Sequence, residues 1–318
     1  DRMHAANTGE WSMNGVYIYN AGKGECIRLR YGDGHNIFID TGVTRFADTL
    51  KRLCREIMDA GETLDLLILT HVDDDHIGGI LALLRMGWKC PFREVQMNGA
   101  ESTGADNAQL STSQNCEIAK MLRKQQVKIT PMTAGDVFYV GGAEIAVIHP
   151  GKLVQDKLCG NTPLAHYKSD YAVDLSELAE RPITKKDTSI NNKNSVVFIF
   201  RFQGKRFLFT GDAWAEDIIA GLGREKQRFD LVKLPHHGAV GNISEEFPEH
   251  ISCENFLICT DGVMHPDKQT AAKLQKWYGK IRISSPSDWW NRGFFTENDD
   301  RGCMELLCKE GEIFQWGI

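Results

Sequence analysis

Short apolar runs and polar turns alternate along the first forty residues. Gly15 to Tyr19, Cys26 to Arg30 and Asn36 to Asp40 read as strands, with Tyr31-Gly32-Asp33-Gly34 as a hairpin turn. From Arg45 to Ala60, Phe46, Leu50, Leu53 and Ile57 recur at helical spacing and Gly61 supplies a stop, which predicts an amphipathic helix covering the sheet. Asp65 to Thr70 (DLLILT) is a continuous apolar run, the pattern of a strand buried on both faces. It ends abruptly in the polar loop HVDDDH, which leads into an apolar helix at Ile77 to Met86.

Further on, strands are predicted at Glu94 to Met97, Asp136 to Val140 and Glu144 to Ile148, the last two joined by Gly141-Gly142, with a helix near Glu117 to Gln126. Residues 151–190 lose periodicity over a length too great for an ordinary connection, and read as an insertion or lid. Order returns with strands at Ser195 to Phe202, Arg206 to Thr210 and Asp230 to Leu234 and a helix near Ala213 to Ala220. Then follow a strand at Asn255 to Cys259, a helix at Lys268 to Tyr278, a strand at Ile281 to Ser284, the aromatic loop DWWNRGFF and a closing hairpin, Met304 to Lys309 with Glu312 to Trp316. The second half repeats the plan of the first with no Pro- or Gly-rich linker between them. The expected architecture is therefore a single α/β domain over residues 1–318, an αββα sandwich of two mixed sheets flanked by helices.

Composition narrows the class. The 318 residues are 42% hydrophobic and 25% charged, enough for a sizeable core. No run approaches the roughly 18 apolar residues of a membrane span, and DRMHAANTGEW lacks a signal-peptide core, so a soluble protein away from membranes is expected. Nine cysteines without a C-x-x-C pair predict free thiols and a cytoplasmic, reducing compartment. Zinc held by Cys253 and Cys259, or by Cys303 and Cys308, lacks further partners. The net charge of −6, with no long single-sign run, excludes an extended basic clamp for duplex DNA.

The chemistry gathers at strand ends. THVDDDHIGG places His71, Asp73, Asp75 and His76 on one loop straight after a buried strand, and imidazole with carboxylate suits zinc and manganese. Three packed carboxylates without a cation would repel. Thr210-Gly211-Asp212 and Pro235-His236-His237-Gly238 end two later strands, where Asp212 could bridge two ions and one His complete the coordination of one. Asp212 also suits a helix N-cap before Ala213.

Eight ordered motifs make the sequence resemble the metallo-β-lactamase superfamily, and within it the nuclease-like domain of ComEC-type competence proteins and their free-standing relatives. They are NAGKGECIRLR (20–30), FIDTG (38–42), LTHVDDDHIGG (69–79), VIHP (147–150), NNKNSVVF (191–198), FLFTGDA (207–213), LVKLPHHG (231–238) and MHP (264–266). Asp73 replaces the middle His of the usual superfamily loop, and Asn191 to Ser195 stands where a further His is usual, both as in the ComEC-like branch. Asn20, Lys23 and Glu25 depart from that branch's entry motif, D-V-G-Q-G-D.

The resemblance implies two divalent ions, zinc or manganese. His71 and Asp73 would serve one, Asp75, His76 and His236 the other, with Asp212 between them and His237 as the alternative to His236. Asp40 would orient ligands from beneath, and His265 would face the substrate. Asn194, Ser195 and Lys23 are further candidates, each with an ordinary structural or solvated role beside the functional one. His149 is expected to pack near the site without touching metal, and His4, His35, His166 and His250 to lie at the surface.

The implied function is a binuclear metal-dependent hydrolase with Asp75 and His265 catalytic, acting as a phosphodiesterase or nuclease on single-stranded or short nucleic acid. A small-molecule hydrolase acting on a lactone, cyclic nucleotide or phosphoester is the alternative on the same metals. A third reading is a non-catalytic or partner-activated module with a protein partner in a bacterial defence assembly. DWWNRGFF offers stacking faces to unpaired bases, or simply packs over the closing strands.

Overall fold

Alternation within the strands sorts the apolar side chains into three layers. In the computed structural model the described residues are 13–99, 110–153 and 170–316, so His4, His166 and residues 154–169 of the expected insertion lie outside them. The chain contributes β1 (Gly15–Ile18), β2 (Ile27–Tyr31), β3 (His35–Ile39), β4 (Thr63–Leu69), β5 (Glu94–Met97) and β6 (Lys128–Thr130) to a first sheet in that spatial order. There follow β7 (Val137–Val140), β8 (Ala143–His149), β9 (Val197–Phe202), β10 (Lys205–Phe209), β11 (Gln227–Arg228), β12 (Leu231–Lys233), β13 (Ile251–Ser252), β14 (Asn255–Leu257), β15 (Ile281–Ser285), β16 (Met304–Cys308) and β17 (Gly311–Gln315). The second sheet runs β16-β15-β14-β12-β10-β9-β8-β7, β11 pairs with β13 alone, and β17 returns to the free edge of β1.

Between the sheets lie Ile27 and Leu29, Ile37 and Ile39, and Leu66 and Ile68 from one side, against Phe198 and Phe200, and Phe207 and Phe209 from the other. The alternate residues of the same strands face outward. Phe38, Leu67 and Leu69 meet Leu50, Leu53, Ile77, Ile80 and Ile118 from α1 (Ala47–Asp59), α2 (Asp74–Arg85) and α3 (Leu110–Lys124). On the far side Ile199, Leu208, Val232, Phe256 and Ile283 lie under further helices. Both faces of both sheets are thus apolar, which is why β4 and β9 carry almost unbroken hydrophobic runs. The result is the expected αββα sandwich.

Residues 170–193 carry two short helices, α4 (Leu175–Glu180) and α5 (Ile190–Lys193). Next come α6 (Ala215–Leu222), α7 (Phe247–His250) and α8 (Lys268–Tyr278). Leu175 and Leu178 of α4 pack on Ala272 of α8, and the buried Lys268 to Asp299 pair, 2.6 Å, ties the same region down. Six residues are too few to show helical periodicity, so the sequence pattern did not reveal α4.

The closing hairpin needs correction. β16 pairs in parallel with β15 in the second sheet, whereas β17 pairs antiparallel with β1 in the first, so the two final strands separate across the sandwich instead of pairing with each other. A turn of two residues, Lys309 and Glu310, is compatible with either outcome, and alternation alone does not say which edge each strand reaches. In the aromatic loop, Trp289 and Phe294 are buried and stack edge to face at 4.6 Å, so their faces are already covered.

Candidate metal centre

Three strand ends meet where the two sheets come together. β4 stops at Leu69, Thr70 to Val72 form the turn, and Asp73 stands at the start of α2 with Asp74 and Asp75 in its first turn. Carboxylates at that position complement the positive end of the helix dipole, so the acidic run that looks frustrated in sequence suits the backbone it sits on. Two glycines let other loops close on this turn. A Cβ on Gly79 would lie 2.1 Å from the Thr41 carbonyl oxygen, and one on Gly24 would lie 2.1 Å from that of Asp75.

Asp212, at the end of β10, is the hub. Its Oδ2 lies 3.4 Å from Nε2 of His76, 3.6 Å from Nε2 of His237, 3.8 Å from Nε2 of His71 and 4.0 Å from Nε2 of His236. Asp75 Oδ2 stands 3.6 Å from the same His237 nitrogen. Ligand atoms of His71, His76 and Asp212 fall within 4.8 Å of one another, as do those of Asp75, His76 and His237. Asp73 lies at the open side, with Oδ2 3.8 Å from His71 Nε2 and Oδ1 accepting 2.7 Å from Asn191 Nδ2.

Three of these imidazoles have their other nitrogen engaged. His76 Nδ1 lies 2.7 Å from Asp40 Oδ2, His237 Nδ1 2.6 Å from the Cys259 carbonyl and His71 Nδ1 3.1 Å from Thr70 Oγ1. Asp40 also accepts from the Thr70 backbone N–H and hydroxyl. Such contacts fix ring orientation and leave the inward nitrogen as a ligand. The inward Nε2 atoms of His71, His76 and His237 are buried without a hydrogen-bond partner. A buried polar atom left so costs about 1–3 kcal/mol, and a shared cation is the partner this donor set fits.

The third strand end is strained. His236, His237 and Gly238 have φ of 47°, 53° and 83°, three successive left-handed residues of which only the last is a glycine. The sequence expectation assigned His236 to the second ion, with His237 as the alternative. The turn instead aims His237 into the group with Asp75 and His76. His236 lies outside both groups, its Nδ1 3.1 Å from Asn242 Oδ1 and 3.3 Å from Asp187 Oδ2. Burial alone would lower the His236 pKa, but Asp212 and Asp187 carry it up to about 9. Burial would likewise raise Asp212, yet His76, His237 and His236 hold it well below the carboxylate range.

The remaining candidates surround this hub. His265 stacks near His236 with ring centres 4.9 Å apart, and Lys23 Nζ lies 3.9 Å from Asp75 Oδ2. Both line a cleft of about 50 Å³ with Asp75, His236, His237 and Asp261. On the His71 side opens a larger cavity of about 410 Å³, bordered by Thr70, Val72, Asn191, Asn194 and the Met97 and Met132 side chains. Ser195 is buried and accepts the Asp212 backbone N–H at 3.1 Å, a scaffold contact. His149 Nε2 binds the Lys193 carbonyl at 2.6 Å, and His35 pairs with Asp65 at 3.0 Å.

Sequence reasoning missed Asp187, Asn242 and, above all, Lys233. That lysine is fully buried and pairs with the equally buried Glu25. A charged residue inside the apolar strand LVKL was the available signal.

Comparison with known proteins bears out the resemblance carried by the motifs. Residues 20–96 match the family model described as Metallo-beta-lactamase superfamily. ComE operon protein 3 of Bacillus subtilis is 24% identical over 219 residues, 67% of this chain but 22% of its own length, so the chain spans under a quarter of that relative. Among solved structures, the metallo-beta-lactamase fold protein YhfI of Bacillus subtilis is similar at 11% identity with a TM-score of 0.45, covering 95% of this chain and 99% of that one. A metallo hydrolase of Ignicoccus hospitalis is similar at 14% identity and a TM-score of 0.42, with coverage of 95% and 99%. Residues 20–96 thus resemble metallo-β-lactamase superfamily proteins, and the gathered His and Asp side chains could hold metal ions. Among the described residues no helix is long and apolar enough to cross a membrane.

Proposed function

We propose that this protein is a binuclear metal-dependent phosphodiesterase that cleaves single-stranded or short nucleic acid. The observation that carries the reading is the convergence of imidazole nitrogens on one carboxylate oxygen of Asp212, with Asp75 alongside, in two overlapping ligand groups. His71, Asp73 and Asp212 would hold one ion, and Asp75, His76, His237 and Asp212 the other. Bound divalent ions supply Lewis-acid charge and a hydroxide nucleophile at neutral pH, which is the chemistry that phosphodiester hydrolysis requires.

The chain's own residues do the rest. Asp40 and the Cys259 carbonyl hold the His76 and His237 rings in place. His236, Lys23 and His265 line one cleft beside Asp75 and His237, and would contact a phosphate oxygen there. His265, on the same cleft with Nδ1 3.7 Å from Asp267 Oδ2, is placed to give a proton to a leaving oxygen. Carboxylate at Asp73 in place of imidazole favours a harder ion, so manganese stands beside zinc. The net charge of −6 favours short or unpaired strands over long duplex.

The alternative, hydrolysis of a lactone, cyclic nucleotide or small phosphoester on the same site, is favoured by the cavity of about 410 Å³ beside His71, a volume typical of small-ligand pockets. The deciding experiment is cleavage of labelled single-stranded DNA, duplex DNA and RNA by metal-stripped protein restored with manganese or zinc, beside an Asp75→Ala, His76→Ala double variant. Metal-dependent cleavage that vanishes in the variant is the expected result. Stoichiometric metal uptake with no cleavage of any polymer would overturn the nuclease reading in favour of the small-molecule one.

A further inference from the structure

The two oxygens of Asp212 face different worlds. Oδ2 meets the four imidazoles, whereas Oδ1 looks back into the protein, 3.5 Å from the ammonium of Lys233. Lys233 and Glu25 are 0% exposed, and Asp212 nearly as buried. Lys233 is fixed at three points: it pairs with Glu25, donates to the Gly211 carbonyl at 2.7 Å, and reaches Asp212. The backbone of Asp212 is held separately, its N–H by Ser195 Oγ at 3.1 Å and its carbonyl by Asn242 Nδ2 at 3.1 Å. Its carboxylate receives no hydrogen bond at Oδ1, so the ion pair with Lys233 is what distinguishes one oxygen from the other.

We infer that Lys233, anchored by Glu25, is the positioning residue that turns Asp212 so that a single oxygen, Oδ2, is presented between the two ion positions. The inference rests on the metal reading above. A carboxylate free to rotate would offer its oxygens alternately, or chelate one ion with both and leave its neighbour short of a ligand. A buried ammonium lowers the energy of one orientation without competing for the ions, because Lys233 lies nearest Oδ1 whereas each imidazole lies nearest Oδ2. Burying two full charges to achieve this is costly unless they are paired, and Glu25 supplies that pairing. The same arrangement explains why the entry loop carries an acid at position 25. Gly24 allows the loop to press against Asp75, and Glu25 then points inward beneath the centre.

The test is calorimetric titration of metal-free protein with Mn²⁺ or Zn²⁺, with Co²⁺ absorption spectra as a report on ligand geometry. It compares wild type, Glu25→Gln, and Glu25→Gln with Lys233→Met. The double variant removes both buried charges, so it leaves no unpaired ion to unfold the chain. Its metal affinity is expected to fall about 10- to 100-fold, the usual effect of losing a residue that orients a ligand. Its Co²⁺ spectrum should change too, while Glu25→Gln, which keeps the ammonium, stays nearer wild type. If the double change costs the fold, Glu25→Gln with Lys233→Gln takes its place, with the same two outcomes. Affinity and spectrum equal to those of wild type would overturn the inference. Wild-type protein that takes up neither ion would instead remove the metal reading on which it stands.

Discussion

The two turns that supply most of the candidate ligands are built on opposite principles. The turn at 70–76 is a relaxed link from strand to helix: a buried strand ends, Asp73 opens α2, and the acids that follow sit where the helix dipole favours negative charge. The turn at 235–238 holds two histidines in the left-handed region, each at a cost of order 1–2 kcal/mol, and needs Asn242, Asp187 and the Cys259 carbonyl to hold it. A relaxed turn can be read from its sequence, because each residue does what its type prefers. A strained one cannot, because its surroundings decide where the side chains go. Strain that persists beside candidate metal ligands is also the mark of a functional constraint.

The sharpest way to break this contrast is to exchange the adjacent histidines for glutamine one at a time. His237→Gln should lose metal from the group with Asp75 and His76, and activity with it. His236→Gln should keep both ions and lose turnover only. Metal content by elemental analysis separates the two, and equal loss from both variants would show that the turn does not sort them. A middle-sized effect is expected on the relaxed side. Asp40→Asn weakens the hydrogen bond that orients His76 and should lower metal affinity about 10- to 100-fold with the fold intact, measured by competition with a chelating dye.

The smallest effect lies in acid–base behaviour of the metal-free protein. The His236 pKa is raised from 6.5 to about 9, so its pairing with Asp187 and Asp212 stabilises the fold fully below about pH 6.5 and is lost as pH rises through 9. Melting temperatures of wild type and His236→Gln should therefore differ most near pH 6 and converge by pH 10. A gap that stays constant would mean that His236 is not paired as described.

Most of the fold was legible because its strands are either alternating or fully apolar, and their lengths leave little freedom. Glu94–Met97 and Lys268–Tyr278 emerge with the boundaries the pattern predicts. β6 escaped because three residues, Lys128 to Thr130, carry no period. The end of α3 follows from its apolar positions, but its start at Leu110 lies in a polar stretch, LSTSQN, that shows no helical period. At the site, the residues that gather around Asp212 were found from strand-end placement and motif order. Of those that hold them in place only Asp40 was legible, through its motif, since Lys233, Asp187 and Asn242 act through contacts between segments far apart in sequence, which spacing does not record.

The divergence of the final strands also bears on how the chain is made. One of the two edges of β1 is completed only by β17, whose partners Gly311 and Gln315 are made some three hundred residues after it. Until then the first sheet carries an open hydrogen-bonding edge, available to any neighbouring strand. A chain stopped short of Gly311 would carry every candidate metal ligand on a sheet still able to pair with another molecule.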